Sequence, residues 1–218
     1  MHASRVVTPG DPEWPAGFAE LRDPPAFMTV RGALPRGGIA VIGARDADPR
    51  LSAFARELAA RLGRPIVAGL APGIDDAAHR GALDVGSPTV AYVGGGLSRL
   101  EDSILADAIV AGGGAVASEY ASDDEATHRS RIGRDRLQAA HAEALVLIVS
   151  DLDGGAMHTL RFARELGRPT FALEIDASGN AAALAAGASP LPCDLIRAAQ
   201  QIGARLATAA PPSGSRRS

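Results

Sequence analysis

Short apolar runs and longer amphipathic stretches alternate along most of the chain. Residues 39–42, 66–68, 89–93, 115–118, 144–149 and 170–173 are compact and almost wholly apolar. Runs of that length predict strands buried on both faces. Between them, residues 49–62, 75–84, 100–111, 130–142 and 155–166 carry apolar positions at helical spacing, which predicts helices. A short piece at 181–186 ends at Gly187, and 194–206 reads as a last helix. Strands alternating with helices of this length imply an α/β protein: a right-handed parallel sheet with helices on both faces.

The first 36 residues do not follow this rhythm. Pro9, Pro12, Pro15, Pro24, Pro25 and Pro35 forbid a long helix. Trp14, Phe18, Leu21, Phe27 and Met28 supply apolar surface, as expected of an arm that packs on a domain. Residues 27–31 could add a short edge strand. The expected organisation is an arm at 1–36, an α/β domain at 37–206, and a tail at 207–218 rich in Pro, Ser, Gly and Arg and expected to be disordered.

Composition sharpens this picture. Hydrophobic residues make up 46% but aromatics only 4%, so the core is mostly Ala, Val, Leu and Ile, with few rings on which bases could stack. The net charge of −3 argues against coating nucleic acid by bulk charge and leaves a local basic patch open. All 22 basic residues are Arg, in keeping with a GC-rich genome. The absence of Lys excludes Schiff-base chemistry and a P-loop lysine. The single cysteine, Cys193, cannot form an internal disulfide or a cysteine-rich metal site. No stretch has the length of a membrane span and the start of the chain lacks a secretory core. The expectation is a cytoplasmic protein with no membrane association, metal or cofactor.

The candidate chemistry lies at the strand ends, which a parallel sheet brings to one edge. Gly43-Ala44-Arg45 follows the first strand. It reads either as a phosphate cradle with a guanidinium fork or as a plain turn with a solvated arginine. The second strand runs into Gly69-Leu70-Ala71-Pro72-Gly73-Ile74-Asp75. Asp75 is expected as a helix N-cap. His79, four residues on, shares its helix face and either joins it in acid/base work or fastens the helix to its neighbours. Gly94-Gly95-Gly96 would extend the cleft. Glu119, at the end of the next strand, suits a ribose hydroxyl or, better, an arginine partner.

Arg129, Arg131, Arg134 and Arg136 form the densest basic cluster. Cations at a helix start oppose the helix dipole, which favours an anion-binding stripe there. After the fifth strand come Asp151, Asp153, Gly154 and Gly155, with Thr159 able to aim a hydroxyl at the cleft. The two aspartates suit turn formation, with a magnesium ion the other reading. No nucleophile elbow and no His/Cys or His/Glu metal pattern appears.

Taken in order, these motifs resemble the DNA-processing protein A family (DprA, also called Smf). It belongs to a wider Rossmann-like group that also holds the phosphoribohydrolases called LOG. The resemblance rests on Gly43-Ala44-Arg45, the stretch from Gly69 to His79, Gly94-Gly95-Gly96-Leu97, Ser118-Glu119, Arg134-Asp135-Arg136 and the loop from Asp153 to Thr159, and covers residues 12–191. It implies a Rossmann-like domain of DprA type that binds single-stranded DNA, assists loading of the RecA recombinase in natural transformation, forms a homodimer and catalyses no reaction. By match, Arg45 holds a DNA phosphate while Gly43 and Ala44 offer backbone N–H groups. Arg131, Arg134 and Arg136 extend the basic pocket, and Gly69, Gly73, Gly95, Gly155 and Thr159 shape it. Asp75, His79 and Glu119 brace it.

The chain departs from the family pattern at Ala44 and Asp135, where serine and asparagine are usual, at Ile132 in place of a phenylalanine, and at the acidic Asp151 and Asp153. A winged-helix domain is expected to be missing. Two other functions fit the same glycine edge: a sensor of a free nucleotide or nucleotide-derived signal, and a LOG-like phosphoribohydrolase. The second is disfavoured because the 153–159 loop lacks that group's proline, third glycine and following glutamate.

Overall fold

The computed structural model describes residues 3–100 and 102–209. Nine strands form one sheet among the described residues. In chain order they are β1 (Arg5–Val7), β2 (Met28–Gly32), β3 (Ile39–Ile42), β4 (Ile66–Ala68), β5 (Thr89–Tyr92), β6 (Ala115–Ser118), β7 (Ala144–Leu147), β8 (Thr170–Leu173) and β9 (Ser189–Leu191). The helices are α1 (Pro49–Leu62), α2 (Ile74–Asp84), α3 (Ser103–Ala111), α4 (His128–His141), α5 (Ala156–Glu165), α6 (Ser178–Ala185) and α7 (Leu195–Ala209), with a 3-10 helix at Ala16–Glu20.

The sheet order is β1-β2-β6-β5-β4-β3-β7-β8-β9. From β6 to β9 every pairing is parallel. The chain winds outward from β3 to β6, returns to the middle, and winds the other way from β7 to β9. The reversal lies between β3 and β7, which pair in register from Ile39 with Ala144 to Ile42 with Leu147. A doubly wound sheet opens a crevice at such a point, outside the carboxyl ends of the strands.

Alternation along the strands builds the two sides of the core. Ile39 and Val41 face Ala55, Leu58, Ile74 and Ile202, on the side of α1, α2 and α7. Ala40 and Ile42 face Leu137, Leu160 and Ala163, on the side of α4 and α5. Every residue of β3 is buried, which is why the strand reads as an unbroken apolar run. Local signals set the helix ends. Asp48 caps α1 by accepting from the Arg50 N–H at 2.7 Å, ahead of Pro49, and Gly63 ends it in the left-handed region at φ 57°. Thr127 and Ser130 form a reciprocal capping box at the start of α4.

The segment ahead of β3 is more regular than expected. β2 pairs antiparallel with β6, and β1 pairs antiparallel outside β2, so the 27–31 region is an inner strand and β1 is the edge. Phe18 is fully buried and stands edge-on to Trp14 at 5.3 Å and to Tyr92 at 6.1 Å. The Tyr92 hydroxyl lies 2.7 Å from His141 Nδ1, and His141 Nε2 lies 2.8 Å from the Pro35 carbonyl. Burial lowers the His141 pKa to about 4. The neutral ring then donates from Nε2 to Pro35 and accepts at Nδ1 from Tyr92. Residues 207–209, expected at the start of a disordered tail, lie in α7; the rest of that stretch falls outside the described residues.

Candidate functional site

A cleft of about 400 Å3 opens at the β3/β7 reversal. Four segments line it: the turn after β3, the loop ahead of α2, the inner face of α4, and the loop that runs from β7 into α5. Each wall is held from behind. The Ala44 N–H donates to the Val149 carbonyl at 2.9 Å, and Ala44 in turn accepts from the Ile74 N–H at 3.2 Å, joining the turn after β3 to both neighbours. Gly73, at φ 81°, passes so close to Arg45 that a Cβ would come within 2.5 Å of its carbonyl oxygen. Behind the β7 loop, Asn180 is fully buried. It accepts from the Ser150 N–H at 3.0 Å and donates to the Ile148 and Leu173 carbonyls at 3.0 and 2.9 Å.

Arg134 forms the floor with two carboxylates. Its Nη1 lies 3.1 Å from Asp135 Oδ1, and both side chains are about nine-tenths buried. The guanidinium and the Asp75 carboxylate sit over Gly69 where a side chain would be, so a Cβ there would collide with both. This packing requires glycine at 69. Asp75 Oδ2 accepts from the Gly69 N–H at 3.0 Å. Burial raises the Asp75 pKa to about 6, against the pull of Arg134 and of the Gly69 N–H. Burial also raises Asp135 to about 7; Arg134 opposes the rise, Asp75 adds to it, and a hydrogen bond from Thr159 opposes it. Arg45 stands exposed at the mouth, and its charge still acts on both carboxyls.

His79 lies behind the floor rather than on it. It is fully buried, with Nε2 2.6 Å from the Gly69 carbonyl and Nδ1 2.7 Å from Thr89 Oγ1. Burial lowers its pKa to about 4, so the neutral ring donates from Nε2 to Gly69, while Nδ1 lies against the Thr89 hydroxyl, which also lies 2.9 Å from the Ile66 carbonyl. The geometry is that of a fastener, with no role left for acid/base work alongside Asp75. Asp75 is not the N-cap either. Gly73 occupies that position, and Asp75 lies buried in the first turn.

The structure brings Gly43, Ala44, Arg45, Asp75, Arg131, Arg134, Gly155 and Thr159 together on the cleft lining. Gly69 lies under Arg134, and Gly73 under Arg45. Three expectations fail. The Ala44 N–H is spent on Val149 and offers nothing to a ligand. Gly95 lies off the main cleft, on a small side cavity of about 40 Å3 that shares Arg45, Arg131 and Arg134 with it. A Cβ on Gly95 would come within 2.8 Å of the Ala126 N, so the triple glycine lets the segment ahead of α4 pack down. Arg136 points away from the cleft. It forms a two-pronged pair with Glu119 at 2.5 and 2.6 Å and donates to the Asp23 carbonyl at 3.0 Å. Glu119 therefore holds Arg136 and the arm, and does not touch the cleft.

Sequence reasoning missed Gln138 and Ser150, both on the lining. Gln138 lies four residues after Arg134, on the same helix face, and donates to Asp135 Oδ1 at 3.3 Å. Its neighbourhood was the available signal. Among the described residues no group of three His, Cys, Asp or Glu side chains is arranged to hold a metal ion, and no helix is long and apolar enough to cross a membrane.

A doubly wound sheet with a polar, arginine-bearing cleft at its reversal places the chain among Rossmann-like α/β proteins that bind at a strand-end crevice. The model of the DNA recombination-mediator protein A family matches residues 5–201, and the chain belongs to that family. It is 31% identical over 177 residues to Protein Smf of Escherichia coli, covering 77% of this chain and 47% of that one. It is 29% identical over 175 residues to DNA processing protein DprA of Streptococcus pneumoniae, covering 73% and 59%. The chain spans about half the length of the first curated relatives it matches. The crystal structure of the pneumococcal protein superposes with a TM-score of 0.80 at 25% identity, over 92% of this chain and 73% of that one. DNA processing protein A of Helicobacter pylori, a protein described by its single-stranded DNA binding mode, superposes with a TM-score of 0.81 at 24% identity, over 97% and 99%.

Proposed function

We propose that the chain binds single-stranded DNA by its phosphate backbone in the β3/β7 cleft, with Arg45 as the principal contact. The observation that carries this reading is the convergence of Arg45, Arg131 and Arg134 on one cleft at the sheet reversal, in a protein of net charge −3. Arg45 is the most accessible of the three, and a guanidinium grips a phosphate in a two-pronged fork. The start of α5, where Gly155 stands as N-cap with no side-chain cap, adds a helix N-terminus to the same lining. Family membership supports the reading, and so does the DNA binding of the Helicobacter protein that shares the fold. Delivery of the bound strand to RecA, a homodimeric state and a cytoplasmic location belong to the same proposal, through the family relation alone. No reaction is assigned to the site.

The test is a fluorescence-anisotropy titration of an oligothymidylate labelled at its 3′ end. Wild-type protein should bind at low salt, and Arg45→Ala should weaken binding about tenfold or more, the loss expected for a charge-assisted contact. Equal affinity of the two proteins would remove Arg45 from the site. The cleft also has the volume of ordinary small-ligand sites, which favours a free-nucleotide sensor as the second reading. A thermal shift with a mononucleotide, together with no oligonucleotide binding, would select it.

A further inference from the structure

We infer that the acidic lining of the cleft, with Asp135 at its floor, selects phosphodiesters over phosphomonoesters, so that the site takes the interior of a strand and excludes free nucleotides and phosphorylated ends. The inference rests on the proposed phosphate contact in this cleft. Three arginines line it: Arg45, Arg131 and Arg134. Five aspartates line it as well: Asp46 beside Arg45, Asp75 on α2, Asp135 on α4, and Asp151 and Asp153 on the β7 loop. His128 on α4 and His158 on α5 complete the titratable lining.

Arg134 is matched within the protein. It lies 3.1 Å from Asp135 and shares the space over Gly69 with Asp75. At pH 8, above the values to which burial raises Asp75 and Asp135, a ligand therefore meets a cleft whose carboxylates outnumber its guanidinium groups. The first negative charge on a phosphate gains directed hydrogen bonds from arginine and the favourable end of the α5 dipole, and these offset the repulsion. A second charge gains no new donor and faces the same carboxylates. A phosphodiester carries one charge, whereas a monoester takes on its second near pH 6. The neighbours of Asp135 reinforce the bias. Gln138 Nε2 and Arg134 Nη1 both point donors at Asp135 Oδ1, which holds the carboxylate in place rather than letting it swing away. Asp135 acts as a positioning and specificity residue, through its charge.

The experiment uses the full chain with the labelled oligothymidylate bound, displaced by thymidine 5′-monophosphate or by its 5′-methyl ester. The two competitors share base and sugar and differ by one charge at pH 8. The methyl ester should compete about fivefold better, the order expected for one adverse charge in a partly solvated site. Asp135→Asn should bring the two competitors closer together. So should Asp153→Asn, which changes an exposed loop position and leaves the packed floor alone. Equal competition by the two ligands in the wild type would overturn the inference. So would an unchanged ratio in both variants, or failure of the methyl ester to displace the strand at millimolar concentration. Each of these leaves the DNA-binding proposal standing, because the oligonucleotide still binds. Loss of that proposal would show separately, as no oligonucleotide binding or no effect of Arg45→Ala.

Discussion

Removing the Asp135 carboxyl from water raises its proton affinity to about 7, with Arg134 pulling it down and Asp75 pushing it further up. In the unfolded chain the same group titrates near 3.9. Between those values the folded protein binds the extra proton, so the stabilisation this group gives is complete below about pH 4 and is lost as pH rises through 7. Asp75, raised to about 6, acts in the same direction. His79 and His141, both lowered to about 4, act in the opposite direction and lose their contribution as pH falls below 6.5. The opposing terms are separated by one substitution. Asp135→Asn removes the larger carboxylate term and leaves those of the two histidines, so its melting temperature relative to wild type should climb between pH 5 and pH 8, by an amount on the order of 1 kcal/mol of stability. Parallel melting curves across that range would remove the buried carboxylate as a titrating group. Legibility at this scale was uneven. Arg45 showed because it follows a strand and a glycine. The error over Arg136 was avoidable, since residues two apart on a helix point to nearly opposite sides and cannot share a face with Arg134.

Elements were legible where they are long or wholly apolar. β3 to β8 and the helices between them lie where the apolar runs and their spacing put them, with shifts of a few residues at the ends. β1 and β9 were not anticipated. Each is three residues long, too short for alternation to register, and β9 contains Pro190, which fits only an edge position. The arm's attachment was visible only as a list of apolar residues. Its mechanism is tertiary: Phe18 wedges between Trp14 and Tyr92, and the 3-10 helix lies so close to α4 that a Cβ on Gly17 would overlap the Ala140 carbonyl. Phe18→Ala should therefore destabilise the protein by about 3 kcal/mol in urea unfolding, the usual cost of emptying a buried phenylalanine site. Phe18→Leu should lose less than half of that. A loss below about 0.5 kcal/mol for the alanine variant, a surface-like value, would mean the arm adds little to the fold.

At the scale of the whole molecule the proposed DNA binding must answer how a chain of net charge −3 would hold a polyanion at all. A long-range field cannot do it, because the average surface repels the strand. Binding must come from the few arginines the cleft presents, and the sheet reversal is what gathers them. Arg45 comes from the turn after β3, while Arg131 and Arg134 come from α4. That arrangement limits the number of phosphates in contact to about two or three. Single-stranded DNA releases about 0.7 counterion for each phosphate neutralised. The logarithm of affinity against the logarithm of salt concentration should then fall with a slope of about −2, made shallower still as salt screens the general repulsion. Anisotropy titrations from low to moderate salt measure this slope directly. A value steeper than about −5 would require some seven phosphate contacts, more than the arginines of this cleft can make. The binding surface would then have to extend along the strand, onto faces of the domain away from the β3/β7 edge.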